Sequence, residues 1–349
     1  PALTATVPAA EAPGAAWLRH MRAGAWPRAW AAADAAIAAR GGAPCWHRPR
    51  HEQWLWDGRP LGGRRVLVRC YHGLGDTLMF ARFLPALAER ARDVTLWAQP
   101  ALLPLLARMR GAPRLLALHD GDPRDEAPEL TWDADVEVME LAHALRATPD
   151  TLPPPPAFDV APVELPNDDG RLRVGLVWEC GDWDRATRSV PLALLAPLAR
   201  VPGVRLHVLQ RGPGRRAWDG DSAFAADAGR DDVCAAAAVV RALDLVVSVD
   251  SFPAHLAGSL GVPTWTLLPH RADWRWMDGR ADTPWYPTMR LYRQPRPGDW
   301  EAVVARVAGD LARLAAGHGG QPCRPERSEG PTRIAKEPDA PGPTRSLGQ

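Results

Sequence analysis

RVLVRCYHGLGDTLMFARFLPAL, residues 65–87, contains a strand, a glycine turn and a helix in one stretch. Arg65 to Cys70 is an apolar run of the length a buried strand has. Gly73-Leu74-Gly75-Asp76 interrupts it, and Leu78, Phe80, Phe83, Leu84 and Leu87 then recur at helical spacing. A strand that turns through glycine into a helix opens a βαβ unit, so the spacing predicts a parallel sheet covered by helices.

Downstream the pattern continues. Val94–Ala98, Leu115–Leu118 and Val136–Met139 read as further strands, separated by helix-like runs such as Ala101–Met109. Thr148–Asp169, with Pro153 to Pro156, is polar and aperiodic, as a connection between lobes would be. A second series then begins with strand Leu172–Trp178, helix Leu192–Arg200, strand Val204–Gln210 and helix Val233–Leu243. Strand Leu245–Val249, helix Pro253–Leu260 and strand Thr264–Leu268 follow. Asp299 is placed to cap a last helix to Ala316, with Val303, Val304, Val307, Leu311 and Leu314 on one stripe.

Upstream, Ala15–Ala39 suggests two short amphipathic helices meeting at Gly24, like one helical pair of a tetratricopeptide repeat. One such pair cannot bury its own apolar face. It must pack on the following domain, on a missing repeat, or on another subunit, so a protein partner or self-association through it is one expectation. Cys45–Gly63, with Trp46, Trp54 and Trp56, reads as an aromatic strap. The expected organisation is therefore a helical, repeat-like segment with its strap (1–63), a first Rossmann-like lobe (64–165), a second (166–298), a bracing helix (299–316) and a mobile tail (317–349).

Composition narrows the partners. With 42 basic and 41 acidic residues the chain carries a formal charge of +1, so no global electrostatic footprint for nucleic acid is present. Small anions stay open, because local geometry binds them. The five cysteines form no CxxC or CxxH pair, which excludes a zinc ribbon and a disulfide framework. Cys70 and Cys180 end apolar runs and read as buried thiols. No apolar stretch is long enough to span a bilayer and no basic, apolar leader opens the chain. The expected location is the cytoplasm, or the inner face of the membrane as a peripheral protein.

Four constellations could carry chemistry. Glycines at a strand-to-helix turn, here Gly73 and Gly75, let an anion approach backbone N–H groups. The match to a dinucleotide fingerprint is poor, since Leu78 stands where its third glycine belongs and no acid ends the next strand. Asp76 either caps the helix or, at the carboxyl edge of a sheet, serves as general base. Asp250-Ser251-x-x-x-His255 follows the strand LVVSV. Its helix start could hold a phosphate, or it could simply be a turn, a cap and a buried histidine. Trp178 to Arg188 (WECGDWDRATR) places Arg185 and Arg188 three apart, a pair suited to a diphosphate or to a solvated loop. Trp274, in the aromatic run DWRW that precedes PWYP, could form a stacking floor or cover a core edge. No serine sits in a G-x-S-x-G elbow, and no ligand spacing identifies a metal site, so metal-independent chemistry is expected.

Taken together these segments resemble the ADP-heptose:lipopolysaccharide heptosyltransferases, glycosyltransferase family 9, and more closely the bacterial branch in which that region follows tetratricopeptide repeats. The resemblance rests on WLWDGRPLGG (54–63), GLGDTLMFARFLP (73–85), RVGLVW (173–178) and RSVPLALLAPL (188–198). LDLVVSVDSFPAHLAGSLGVPTW (243–265), LLPHRADWRW (267–276), TPWYP (283–287) and MRLYRQPRPGDW (289–300) complete it. It implies an α/β protein of GT-B architecture: two Rossmann-like lobes facing a central cleft, with the acceptor mainly on the first lobe and a nucleotide-sugar on the second. It implies that the last helix crosses back to brace the first lobe. Asp76 falls on the family's proposed general base, and Asp250, Ser251 and His255 on its donor motif. Gly73, Gly75, Trp178, Arg185, Arg188 and Trp274 complete the expected donor-side residues.

The implied activity is an inverting transfer of a sugar, ADP-heptose being the family's donor, to a hydroxyl on a glycan, lipid or protein. No cofactor besides the nucleotide-sugar substrate is expected. Two features depart from the family: 179–188 contains no lysine, and position 72 is His. A nucleotide-sugar epimerase-like enzyme and a non-catalytic GT-B scaffold remain as alternatives. Donor turnover without an acceptor would mark the first, and indifference of activity to Asp76→Ala the second.

Overall fold

The computed structural model describes residues 12–43, 45, 47–119, 130–165 and 170–318. Residues 1–11 of the N-terminal segment, Trp46 of the strap, part of the connection (166–169) and the expected tail beyond 318 lie outside the described residues.

Strands β1 (Arg65–Arg69), β2 (Asp93–Ala98), β3 (Arg114–Ala117) and β4 (Ala134–Glu137) form a sheet in the order β3-β2-β1-β4. All its pairs are parallel, with Val66 opposite both Val94 and Ala134. The second sheet comprises β5 (Leu172–Val177), β6 (Val204–Val208), β7 (Ala226–Asp227), β8 (Leu245–Val249), β9 (Thr264–Leu268) and β10 (Met289–Arg293). Its order is β10-β9-β8-β5-β6-β7, again parallel throughout. Strands covered on both faces are apolar along their whole length, and β8 is buried at all five residues. In each sheet the strand order reverses beside the first strand, between β1 and β4 and between β5 and β8. Ligand crevices open at the carboxyl ends of strands flanking such a reversal.

The helices are α1 (Pro13–Arg22), α2 (Trp26–Arg40), α3 (Leu74–Phe80), α4 (Leu84–Ala88), α5 (Leu103–Leu106) and α6 (Leu141–Ala144). They continue with α7 (Arg185–Arg188), α8 (Ala196–Ala199), α9 (Val233–Arg241), α10 (Phe252–Ser259) and α11 (Trp300–His318). Prolines break the expected long helices. Pro104 and Pro197 each stand in the first turn of a short helix, behind the 3₁₀ turns Pro100–Leu102 and Leu192–Leu195. A proline has no N–H to bond the preceding turn, so an α-helix starts at it rather than running through it. The short helices α6 and α7 and the strands β7 and β10 have no periodic signal in the sequence.

Gly24, at φ 71°, turns α1 into α2. The pair packs across both lobes of the same chain. Trp30 stacks on His143 at 5.2 Å and donates its indole N–H to the Ala147 carbonyl at 2.6 Å, beyond the first sheet. Trp26 meets Trp285 at 4.9 Å and Arg22 donates to the Ala272 carbonyl, both beyond β9. The proline-rich connection is pinned rather than loose: Phe158 is buried, bridges to Met109, and its carbonyl accepts from Arg241.

The last helix, expected to brace the first lobe, sets its buried face on the second. The buried stripe of α11, Val303, Val304, Val307 and Leu311, faces α8 and β10 of the second lobe, and Asp310 is held there by Tyr292 and Arg290 at 2.7 Å each. Leu314, expected on that stripe, is 42% exposed, while its neighbour Ala315 is buried. Cys45, Cys70 and Cys180 are buried free thiols. Among the described residues no helix is long and apolar enough to cross a membrane.

Candidate active site

The loops at the carboxyl ends of β5, β6 and β8 enclose a cavity of about 350 Å³. Arg185, Arg211 and Arg230 line it, together with Ser251, Phe252 and Pro253 at the start of α10 and the glycine loop Gly212–Pro213. Apolar walls come from Val177, Leu209, Val240 and Leu256. Three guanidinium groups beside a helix N-terminus favour an anion there. Arg211 pairs with Asp231 from beyond β7, and Arg185 with Asp182 and, at 3.8 Å, with Glu179, both of which also line the cavity. Ser251 does not cap α10, since its hydroxyl donates to the Val249 carbonyl at 3.2 Å.

Arg188 is engaged elsewhere. It donates to both the carbonyl and, at 3.2 Å, the carboxylate of buried Asp250, and its guanidinium covers the exposed Trp183 ring at 4.9 Å. Of the arginine pair expected to meet a diphosphate, Arg185 faces the cavity and Arg188 braces Asp250. Trp178 is core beneath the cavity: 2% exposed, its indole N–H is spent on the Gly214 carbonyl.

Asp250 connects the cavity to the first lobe. Its carboxylate lies 3.8 Å from His255 Nε2, and His255 Nδ1 meets the Tyr286 hydroxyl at 3.1 Å. Burial is the main influence that lowers the pKa of His255, with Arg275 and Arg188 adding to it against Asp250 and Asp76. The ring stacks on Trp276 at 5.5 Å and abuts Gly75, where an added Cβ would fall 2.6 Å from it. Gly75 therefore serves packing. Gly75 admits the other lobe's histidine, and the Gly73 N–H is taken by the Asp76 carboxylate at 3.0 Å. Neither lines the cavity.

Asp76 both caps α3 and pairs with Arg275 at 2.5 Å. Arg275 also bonds Asp273 at 2.7 Å. Burial tends to raise the Asp76 pKa, yet Arg275 above all, then His255 and His72, hold it below the ordinary value. Burial likewise opposes the charge on Arg275, and Asp76 and Asp273 outweigh it and raise its pKa. Arg275 is the residue that sequence reasoning passed over; it stands inside the DWRW run, but 199 positions separate it from its partner.

Trp274, expected as a stacking floor, is instead half-buried among Trp17, Phe80 and Trp285 at 5.1, 6.5 and 6.3 Å, away from the cavity lining. The aromatic run seals the junction between lobes because its rings complete the apolar surface that Phe80 and the N-terminal tryptophans leave uncovered.

His72 lies beside Asp76. Its Nδ1 lies 3.0 Å from the carboxylate of Glu137 without hydrogen-bond geometry, and Glu137, 1% exposed, accepts the backbone N–H groups of Tyr71 and Met139. Burial tends to lower the His72 pKa, but Glu137 and then Asp76 raise it above the ordinary value. Among the described residues no trio of His, Cys, Asp or Glu is grouped as metal ligands would be.

No family model matches the chain. It is 28% identical over 294 residues to Protein FlbA of Caulobacter vibrioides, covering 75% of this chain and 48% of that protein. The chain thus spans about half the length of the curated relative it matches. E. coli ADP-heptose LPS heptosyltransferase II superposes with a TM-score of 0.54 at 14% identity, over 72% of this chain and 99% of that one. A glycosyl transferase family 9 protein of Veillonella parvula superposes with 0.54 at 13%, over 75% and 98%. The two reversed parallel sheets, the loops at their carboxyl edges and these superpositions agree: the chain has the two-lobed α/β GT-B-like fold of the heptosyltransferase-related, family 9 glycosyltransferases.

Proposed function

We propose that the chain transfers a sugar from a nucleotide-sugar to a hydroxyl acceptor on a glycan, lipid or protein, with inversion in a single displacement. The observation that carries this reading is the cavity at the strand-order reversal of the second sheet, lined by Arg185, Arg211 and Arg230 beside the start of α10. A diphosphate brings two or more negative charges, and these groups offer guanidinium forks and backbone N–H donors in their place. The apolar wall gives a base or sugar a face to lie against. Lysine is absent from 179–188, and the arginines of three separate loops offer positive charge in its stead. ADP-heptose, the donor in the name of the E. coli relative of the same fold, is the first to test.

With that charge supplied by side chains, transfer is proposed to need no divalent cation. The test is a melting panel of ADP-, GDP-, UDP- and dTDP-sugars with and without EDTA. One nucleotide class is expected to raise the melting temperature equally in both conditions, and Arg185→Ala to weaken its binding by about tenfold or more. No shift with any member would sink the transferase reading in favour of a scaffold. A shift lost with EDTA would leave transfer standing and overturn its metal independence.

A further inference from the structure

The cavity of the second lobe is lined by an inward acid as well as by arginines. Glu179, two residues beyond β5, stands in its wall with Arg185, Arg211 and Arg230. A diphosphate repels a carboxylate, so an acid at such a site costs affinity unless the ligand turns hydrogen-bond donors toward it.

The fold keeps this acid in place. Buried Gln210 clamps its backbone, accepting the Glu179 N–H at 2.9 Å and donating to the Glu179 carbonyl at 3.2 Å. The same amide holds the Trp178 N–H and the Arg211 carbonyl, at 3.0 and 2.9 Å, so the loops after β5 and β6 form one wall. The side chain lies on Gly214, where an added Cβ would fall 2.8 Å from Glu179 Cβ and 2.9 Å from its carboxyl carbon. Any larger residue at that position would crowd the carboxyl group.

The carboxylate itself is left with acceptor capacity. Asp182, the other acid of the lining, is exposed and spent on Arg185. Glu179 is 23% exposed, and Arg185 Nη1 stands 3.8 Å from its Oε1, beyond hydrogen-bond reach. Among the described residues no N–H or O–H group donates to its carboxylate oxygens.

We infer that Glu179 accepts hydrogen bonds from a vicinal diol of the nucleotide-sugar, on a ring next to the diphosphate. This deepens the transferase reading and rests on it, with Arg185 at the phosphates. Two adjacent hydroxyls match the two oxygens of a carboxylate, as acids match ribose in dinucleotide sites. The 3.8 Å between Arg185 and Glu179 suits a group directly attached to the phosphates. Ribose is attached on one side and the transferred sugar on the other, whereas the base lies a whole ribose further out. A diol brings donors without charge, so the acid can bind it and leave Arg185 to the phosphate.

The nucleotide class that stabilises the protein supplies the probes: its ribo and 2′-deoxy nucleoside diphosphates and its nucleotide-sugar. Calorimetry gives their dissociation constants for the wild type and for Glu179→Gln, which keeps the shape and removes the charge. The variant is expected to lower one affinity ratio by about fivefold or more, the loss of a charge-assisted hydrogen bond. A fall in ribo over 2′-deoxy diphosphate assigns the diol to the ribose. A fall in nucleotide-sugar over bare diphosphate assigns it to the transferred sugar. Gly214→Ala, which crowds the carboxyl group but keeps its charge, should lower the same ratio.

Ratios lowered by neither variant overturn the inference. Tighter binding of every probe by Glu179→Gln, with both ratios kept, would mark Glu179 as only the counter-ion of Arg185. A wild type that binds none of the four nucleotide classes sinks the transferase reading and this assignment with it. Binding with unchanged ratios sinks the assignment alone.

Discussion

Gly75 and His255 occupy one place between the lobes, and neither tolerates a larger neighbour. The ring is buried, stacked on Trp276 and bonded to Tyr286, whose phenol burial pushes up to about 12. Because that ring cannot yield, Gly75→Ala is expected to cost about 1–3 kcal/mol in urea unfolding, as overpacked cores do. A loss below about 0.5 kcal/mol would show that the lobes part easily here. At this scale the sequence was partly legible. Asp76, Asp250 and His255 stand out in it because Asp250 directly follows an apolar strand and the other two open the helices after such strands, and the structure gathers them about the lobe junction. The reason for Gly75 was not legible. A glycine turn reads as room for an anion, and only the three-dimensional neighbour reveals that the room belongs to a histidine 180 residues away. Arg211 and Arg230 escaped notice for the same reason, since charged residues in exposed loops look alike until a cavity joins them.

Elements show how the strap is held. The backbone N–H groups of Leu55 and Trp56 both donate to Glu140, at the end of the turn Val138–Glu140 after β4, which also accepts the Glu137 N–H at 2.9 Å. Burial dominates at this carboxyl and raises its pKa to about 7, against those three N–H donors. The folded chain then keeps a proton that the unfolded chain releases near 4.5. Stability from this site is greatest in acid and declines as pH rises from about 5 to about 7. Glu140→Gln cannot titrate, so denaturation midpoints at pH 5 and pH 8 should differ less in the variant than in wild type. An unchanged difference would show that Glu140 ionises normally. The apolar strands were readable because parallel sheets bury both faces of a strand. The edge strands β7 and β10 and the proline-split helices were not, because short elements are made by their neighbours rather than by their own periodicity.

For the whole molecule, the N-terminal helices bind the lobes to one another. Trp26 is fully buried against Trp285, and Trp30 reaches His143 and Ala147 on the other side. Asp34 adds Arg146 at 2.7 Å and His143 at 2.9 Å. Trp26→Ala should therefore cost about 3–5 kcal/mol and lower the melting temperature of the folded chain as a unit. A cost under about 1 kcal/mol would mean that the helices ride on one lobe only. The sequence by itself determined two parallel α/β lobes, a helical pair ahead of them and the residues at their strand ends. These follow from local hydrophobic period and glycine placement, which a chain carries wherever it folds. Tertiary structure alone decided which helices brace the lobes, that Arg275 captures Asp76, and that His72 leans on Glu137. Such contacts join residues far apart in the chain, and their energy depends on distance and burial in space, quantities that no spacing along the sequence contains.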